Sequence, residues 1–279
     1  MSQPRQNRAL VIVNTNFCSS DGDVVFGTRR GAKREAEQLS NVLSRLNYKV
    51  KLMHNKTAKE IEDLYQEECC CEHGDYFVSI ISSHGEEGVI FGYDSEPVKL
   101  TRIFRILSSD KCPALTKIPK IFFIQACRGA EFDQGVLVEC DSSEPEPDCF
   151  SDYLSIPPQT VVMFACSPGK GEPLTHQRRA KTFPFGHVAI TGPRHSQRCS
   201  PSFTLCRLLA FLNVFGSMFL QALLKVLEGE ERHLALNRLM TRINWEVAFC
   251  CQARGTYEGC KEMPCFVTNL LQEVFPFSA

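Results

Sequence analysis

Short, wholly apolar runs alternate along this chain with stretches in which apolar residues recur every three or four positions. Residues 9–13, 48–53, 76–81 and 160–165 read as strands, as does the start of a last one at 264–267. Ile121, Phe122, Phe123 and Ile124, four large apolar residues in succession after Pro119, read as a fully buried strand. From Gly31 onward, Ala32, Ala36, Leu39, Val42, Leu43 and Leu46 follow helical spacing and predict an amphipathic helix with a charged outer face. Thr57, with Glu60 three residues later, is a capping box that opens a second helix through Leu64 and Tyr65. Further helices are expected over 101–107, 216–227 and 234–247, whereas residues 14–30, rich in Asn, Ser, Asp and Gly, carry no helical period. Strand and helix alternating in this way predict an α/β fold with a largely parallel sheet covered on both faces.

Composition narrows the class. The 279 residues are 43% hydrophobic and 23% charged, ordinary for a soluble globular chain long enough to bury a substantial core. A net charge of −1 gives no reason to expect nucleic acid or an anionic membrane as a partner. Fifteen cysteines at irregular spacings, an odd number, read as mostly free thiols in a reducing compartment and predict a cytoplasmic protein. The first apolar run is too short for a signal peptide and reads as a strand. Residues 139–158 break the pattern, being acidic and holding Pro145, Pro147, Pro157 and Pro158, and are read as an exposed linker.

Two strands end on reactive groups. The strand of residues 120–125 leads into Cys127, and that of 76–81 leads through Ser82 and Ser83 into His84. In open α/β sheets functional groups gather at the carboxyl ends of strands, and a thiol beside an imidazole is a nucleophile with its base. The sequences Gln125-Ala126-Cys127-Arg128-Gly129 and Ser83-His84-Gly85-Glu86-Glu87-Gly88 resemble the caspase family of aspartate-directed cysteine proteases. The likeness runs from about Arg8 to Gly169 and resumes from Gly216 to Phe277.

The resemblance implies a caspase-like three-layer sandwich built on a mostly parallel six-stranded sheet with helices on both faces. It implies one catalytic domain over 1–279, divided into a large-subunit region 1–141, a linker 142–158 and a small-subunit region 159–279. Cys127 would be the nucleophile, His84 its base, and the backbone N–H groups of Gly85 and Cys127 the oxyanion donors. Arg29, in Thr28-Arg29-Arg30-Gly31, and the Gln125 amide would hold the substrate aspartate, a task that suits the guanidinium fork. Asp141, in Val138-Glu139-Cys140-Asp141-Ser142, would be the maturation cleavage point, with Asp148 and Asp152 as weaker candidates. The partners implied are protein substrates with aspartate before the cut bond and a second caspase chain, identical or related, in a dimer.

No cofactor or metal is expected, because Cys69-Cys70-Cys71-Glu72-His73 lacks the paired spacing of a structural zinc site. Trp245 and Cys250-Cys251 are read as helix packing. The resemblance breaks over 170–215, where the Ser-Trp-Arg element of executioner-type caspases, with its second aspartate-binding arginine, is absent; this segment is expected to be poorly ordered over 170–212. The charge-free run from Leu208 to Leu224 is at the lower limit for a membrane span, but its second half matches a core helix of the family. Two functions follow: an executioner-type endopeptidase acting in apoptosis-type signalling, or a catalytically impaired homologue that regulates an active caspase by pairing with it.

Overall fold

The architecture comes from a computed structural model, which describes residues 5–86, 88–126, 156–166, 205–206, 212–213, 216–250 and 261–278. Six strands form the central sheet: β1 (Asn7–Val13), β2 (Tyr48–His54), β3 (Phe77–Ser82), β4 (Lys120–Gln125), β5 (Thr160–Phe164) and β6 (Cys265–Thr268), in the spatial order β6-β5-β4-β3-β1-β2. All neighbours are parallel except β5 and β6, which are antiparallel. The helices are α1 (Ala32–Arg45), α2 (Ala58–Glu68), α3 (Leu100–Ile106), α4 (Met218–Glu228) and α5 (Leu236–Trp245).

Period-two alternation sorts each strand into two cores. Val11, Val78, Ile80, Ile121, Phe123, Val161 and Met163 face one way, into the apolar stripes of α1, α4 and α5. Leu10, Ile12, Phe77, Ile81, Phe122, Ile124 and Val162 face the other way, toward α2 and α3. The sheet is therefore the middle of three layers, as the apolar runs and the helical stripes together predicted. Full burial of Phe122 and Phe123 on opposite faces contributes roughly 2–3 kcal/mol each. The Thr57 capping box forms as expected: Glu60 N–H donates to the Thr57 hydroxyl, and Thr57 N–H donates to the Glu60 carboxylate.

Three local details sharpen or correct the sequence reading. The loop over 14–30 contains a small hairpin, Phe17–Cys18 against Val24–Phe26, which turns at Gly22 in the left-handed region (φ 85°). The helix expected from 216 begins two residues later: Gly216–Ser217 is extended, and the Ser217 hydroxyl caps α4 by accepting from Leu220 N–H at 3.0 Å. Trp245 is not simply buried packing. It remains 40% exposed, and the Arg242 guanidinium lies over its ring at 4.2 Å from the centroid.

Within the segment that breaks the resemblance, Leu205–Cys206 pairs parallel to Lys261–Glu262, and Leu212–Asn213 pairs antiparallel to Gly216–Ser217. The rest of 170–212 lies outside the described residues.

Sheet order reverses between β1 and β3. From β1 the chain goes outward to β2, then returns to β1's other side to lay down β3, β4 and β5. The loops leaving the carboxyl ends of β1 and β3 therefore diverge and leave a crevice between them, where open α/β sheets bind ligands.

Candidate active site

At that crevice the loop after β1 is tied across to β3. Asn14 N–H donates to the Ser82 carbonyl at 2.9 Å. The fully buried Asn14 side chain donates to the carbonyls of Lys56 (3.0 Å) and Phe91 (3.1 Å) and accepts from Lys56 N–H (2.8 Å). Ser83 donates its hydroxyl to the Phe91 carbonyl at 2.6 Å, and Phe91 N–H donates to the His84 carbonyl at 2.9 Å. His84 is thus carried on backbone fixed from both sides. Gly85–Glu86 continues from it as a short strand paired with Val89–Phe91.

The His84 ring sits among aromatics. Its centroid is 4.7 Å from that of Phe17 and 5.5 Å from that of Phe26, and Phe26 in turn stacks near Phe91 at 4.9 Å. Burial in this box pushes the imidazole pKa below its ordinary value; the Gly27 carbonyl opposes that shift, while the Arg29 charge adds to it. His84 Nε2 lies 2.9 Å from the Gly27 carbonyl oxygen, which can only accept. Nε2 therefore carries the proton, and in the neutral ring Nδ1 is the basic nitrogen. A neutral imidazole with its far nitrogen anchored is the resting form a general base needs.

Next to His84 on the sheet is the end of β4. Ser82 is the register partner of Gln125, and Ser83 N–H donates to the Gln125 carbonyl at 3.1 Å. Gln125 is 1% exposed, yet among the described residues neither its Nε2 nor its Oε1 has a hydrogen-bond partner. A buried primary amide without partners is costly and uncommon, about 1–3 kcal/mol for such a group, and at a sheet's carboxyl end it marks a place where a ligand can supply the missing bonds. The Ser82 hydroxyl beside it is likewise unpartnered among the described residues.

Arg29 is buried in the β1–α1 loop, its N–H donating to Thr15 O at 2.9 Å and its Nη1 to Asn14 O at 3.1 Å. Two turns of chain further on, Glu35 is fully buried in the first turn of α1 and fastens the start of α4. It accepts from Ser217 N–H (2.8 Å), the Ser217 hydroxyl (3.2 Å) and Gln221 Nε2 (3.2 Å). Burial raises its pKa to about 7 against the lowering effect of those donors and of the Arg29 charge.

Of the residues picked from the sequence, His84, Gly85 and Gln125 meet at adjacent strand ends, and Arg29 lies near enough to influence His84. Cys127 and Asp141 lie outside the described residues, as do Asp148, Asp152 and Cys251. Sequence reasoning missed Asn14, Phe17, Phe26, Gly27, Glu35 and Ser217. The one available signal was a pair of phenylalanines flanking Asp21-Gly22-Asp23, a hairpin turn sequence in an otherwise polar loop. In the cysteine-rich stretch, His73 Nε2 sits 2.8 Å from the Glu68 carbonyl, and Glu68 pairs with both Arg8 Nε (2.7 Å) and Nη2 (2.8 Å). Among the described residues no group of three His, Cys, Asp or Glu could hold a metal ion, and no helix is long and apolar enough to cross a membrane.

Comparison with known proteins bears directly on this arrangement. The family described as "Caspase domain" matches residues 6–175 and 196–275, so the unmatched stretch 176–195 falls inside the segment where the resemblance breaks. Caspase-7 of Gallus gallus is 28% identical over 282 residues, covering 99% of this chain and 78% of the relative. Caspase-3 of Bos taurus is 29% identical over 280 residues, covering 99% of this chain and 86% of the relative. With that family model matching most of its length, the chain belongs to the caspase family.

Proposed function

We propose that this protein is a cysteine endopeptidase of the executioner type, acting in apoptosis-type signalling and cutting peptide bonds after aspartate. The observation that carries the reading is the adjoining ends of β3 and β4. His84 stands two residues past Ser82, Ser82 is the register partner of Gln125, and Cys127 follows Gln125 by two residues in sequence. The cysteine motif therefore follows directly on the strand that lies beside the one leading into His84.

The chemistry follows from the histidine's tautomer. Nδ1 of His84 takes the Cys127 proton, and the thiolate attacks the backbone carbonyl carbon of the substrate aspartate itself. The carbonyl oxygen becomes an oxyanion that the N–H groups of Gly85 and Cys127 stabilise, each such donor contributing about 3 kcal/mol. His84, now protonated and held by Gly27, gives its proton to the leaving amine, and water then cleaves the thioester with His84 again as base. Arg29 and the Gln125 amide, which has no partner among the described residues, recognise the aspartate carboxylate, a reading supported by the burial of both groups at the same end of the sheet. Maturation by cleavage after Asp141, dimerisation through the small-subunit region and a cytoplasmic location complete the proposal.

The missing Ser-Trp-Arg element favours a second reading, a catalytically impaired homologue that acts by pairing with an active caspase. One assay separates the two: purified protein on a fluorogenic peptide ending in aspartate, with Cys127→Ala as control. Cleavage by the parent chain alone supports the enzyme. Equal signals from both proteins would sink it, and cleavage after arginine instead would assign another specificity.

A further inference from the structure

At the carboxyl end of the sheet, Val13 of β1, Ser82 of β3 and Gln125 of β4 form one row of register partners. Val11 and Val13, Val78 and Ile80, and Ile121 and Phe123 all face the core under α1, α4 and α5. Ser82 and Gln125 stand two residues beyond Ile80 and Phe123, so strand alternation puts both on that same face. Both are buried, yet among the described residues neither the Ser82 hydroxyl nor either end of the Gln125 amide has a hydrogen-bond partner. Neighbouring serines, equally buried, show the contrast. Ser79 shares a hydrogen bond of 2.7 Å with the Tyr65 hydroxyl, and Ser83 donates to the Phe91 carbonyl at 2.6 Å. The row is also tied to Arg29 through Asn14, the residue after Val13. Asn14 N–H donates to the Ser82 carbonyl at 2.9 Å, and its own carbonyl accepts from Arg29 Nη1 at 3.1 Å.

We infer that Ser82 is a further specificity-determining residue, whose hydroxyl donates a hydrogen bond to the side-chain carboxylate of the substrate aspartate beside Arg29 and Gln125. The inference rests on the proposed reading of this sheet end as an aspartate pocket. An ionised carboxylate only accepts, and its two oxygens have room for about four donors. The Arg29 guanidinium can supply a fork of two, and Gln125 Nε2 a third. Gln125 Oε1 can supply none. A serine hydroxyl, whose hydrogen turns to suit its partner, provides a fourth donor from the next strand. Hydrogen bonds of this O–H···O⁻ kind are short and strong, so they reward a substrate that carries the charge over one that merely has the shape. Bound aspartate would also remove the cost of burying an unmatched hydroxyl, and affinity would then depend on a residue that gives the empty fold nothing.

The experiment uses the full chain carrying Cys127→Ala, which binds peptides without cutting them, alone and with Ser82→Ala added. An acetylated tetrapeptide amide ending in aspartate, whose only carboxylate is that side chain, is titrated into each protein by calorimetry. The same peptide ending in asparagine is the uncharged comparison. Ser82→Ala is expected to weaken binding of the aspartyl peptide by about tenfold and of the asparaginyl peptide by less. Its melting temperature should be unchanged or slightly higher, because the substitution deletes a buried hydroxyl that lacks a partner among the described residues. Equal affinity of the two proteins for the aspartyl peptide would overturn the inference and leave the aspartate pocket standing. Equal weakening of both peptides with a lower melting temperature would make Ser82 a packing residue, and would overturn it too. If the protein with Ser82 intact does not prefer the aspartyl peptide to the asparaginyl one, the pocket reading itself fails and takes the inference with it.

Discussion

Strand β4 buries a polar side chain at each end, Lys120 at the start and Gln125 at the finish, each 1% exposed. At the amino end, the Lys120 ammonium gives hydrogen bonds to two carbonyls, and burial lowers its pKa to about 8. At the carboxyl end the Gln125 amide has no partner among the described residues. The same strand thus satisfies one buried polar group and leaves the other unmatched. A fold selected only for stability would remove the second cost, so its persistence at the carboxyl end supports the proposed site there.

The sharpest way to break that contrast is at the scaffold end. Lys120→Ala strips the Leu115 and Ile118 carbonyls of their donor and opens a cavity, and it should lower stability by roughly 3 kcal/mol in urea titration. Gln125→Ala removes a group that lacks partners among the described residues and should cost well under about 1 kcal/mol in the same titration. If the two substitutions destabilise equally, the distinction between the ends fails.

Gly216→Ala comes next in size. A Cβ there would lie 2.5 Å from Glu35 Oε1, at a backbone φ of +126° that side chains rarely adopt, so a loss of about 2 kcal/mol is expected. Unchanged thermal stability would mean that the Glu35–Ser217 clasp is looser than its hydrogen bonds imply.

The pH dependence of stability tests Glu35 itself. Its folded pKa of about 7 exceeds the ordinary value of about 4.3, so the folded state binds more protons between those values. The resulting stabilisation is fully present below about pH 4.3 and is lost as pH rises through about 7. Melting temperature against pH should show that decline for the parent chain and a flatter profile for Glu35→Gln.

A smaller effect concerns catalysis. Because burial holds the His84 pKa below its ordinary value, the acid limb of kcat/KM should lie below about pH 6.5; opening the aromatic box with Phe17→Ser should move it upward. An unmoved limb would remove the aromatic box from the account.

What was legible in the sequence divides along similar lines. The strands were visible because burial on both faces demands unbroken apolar runs, as in Ile121 to Ile124, and α1 was visible because one buried face imposes its period. The Thr57 cap was readable because its partner is three residues away. His84 and Gln125 were found through motifs, not through periodicity. The aromatic box, the Asn14 hub and the Glu35–Ser217 clasp were not visible. Each joins residues far apart in the chain, and a polar or aromatic residue in a loop carries no periodic signal of what it will meet. The late start of α4 has the same origin, since Ser217 is drawn into an extended conformation by a carboxylate on α1.

The most direct test of the central claim compares the parent chain with Gln125→Ala in two readings on the same preparation: melting temperature, and kcat/KM for a peptide cut after aspartate. The account predicts an almost unchanged melting temperature with kcat/KM reduced by about 10–100-fold, the loss of one or two hydrogen bonds to a charged group. A clear drop in melting temperature with kcat/KM preserved would show that Gln125 belongs to the scaffold, and would contradict the account.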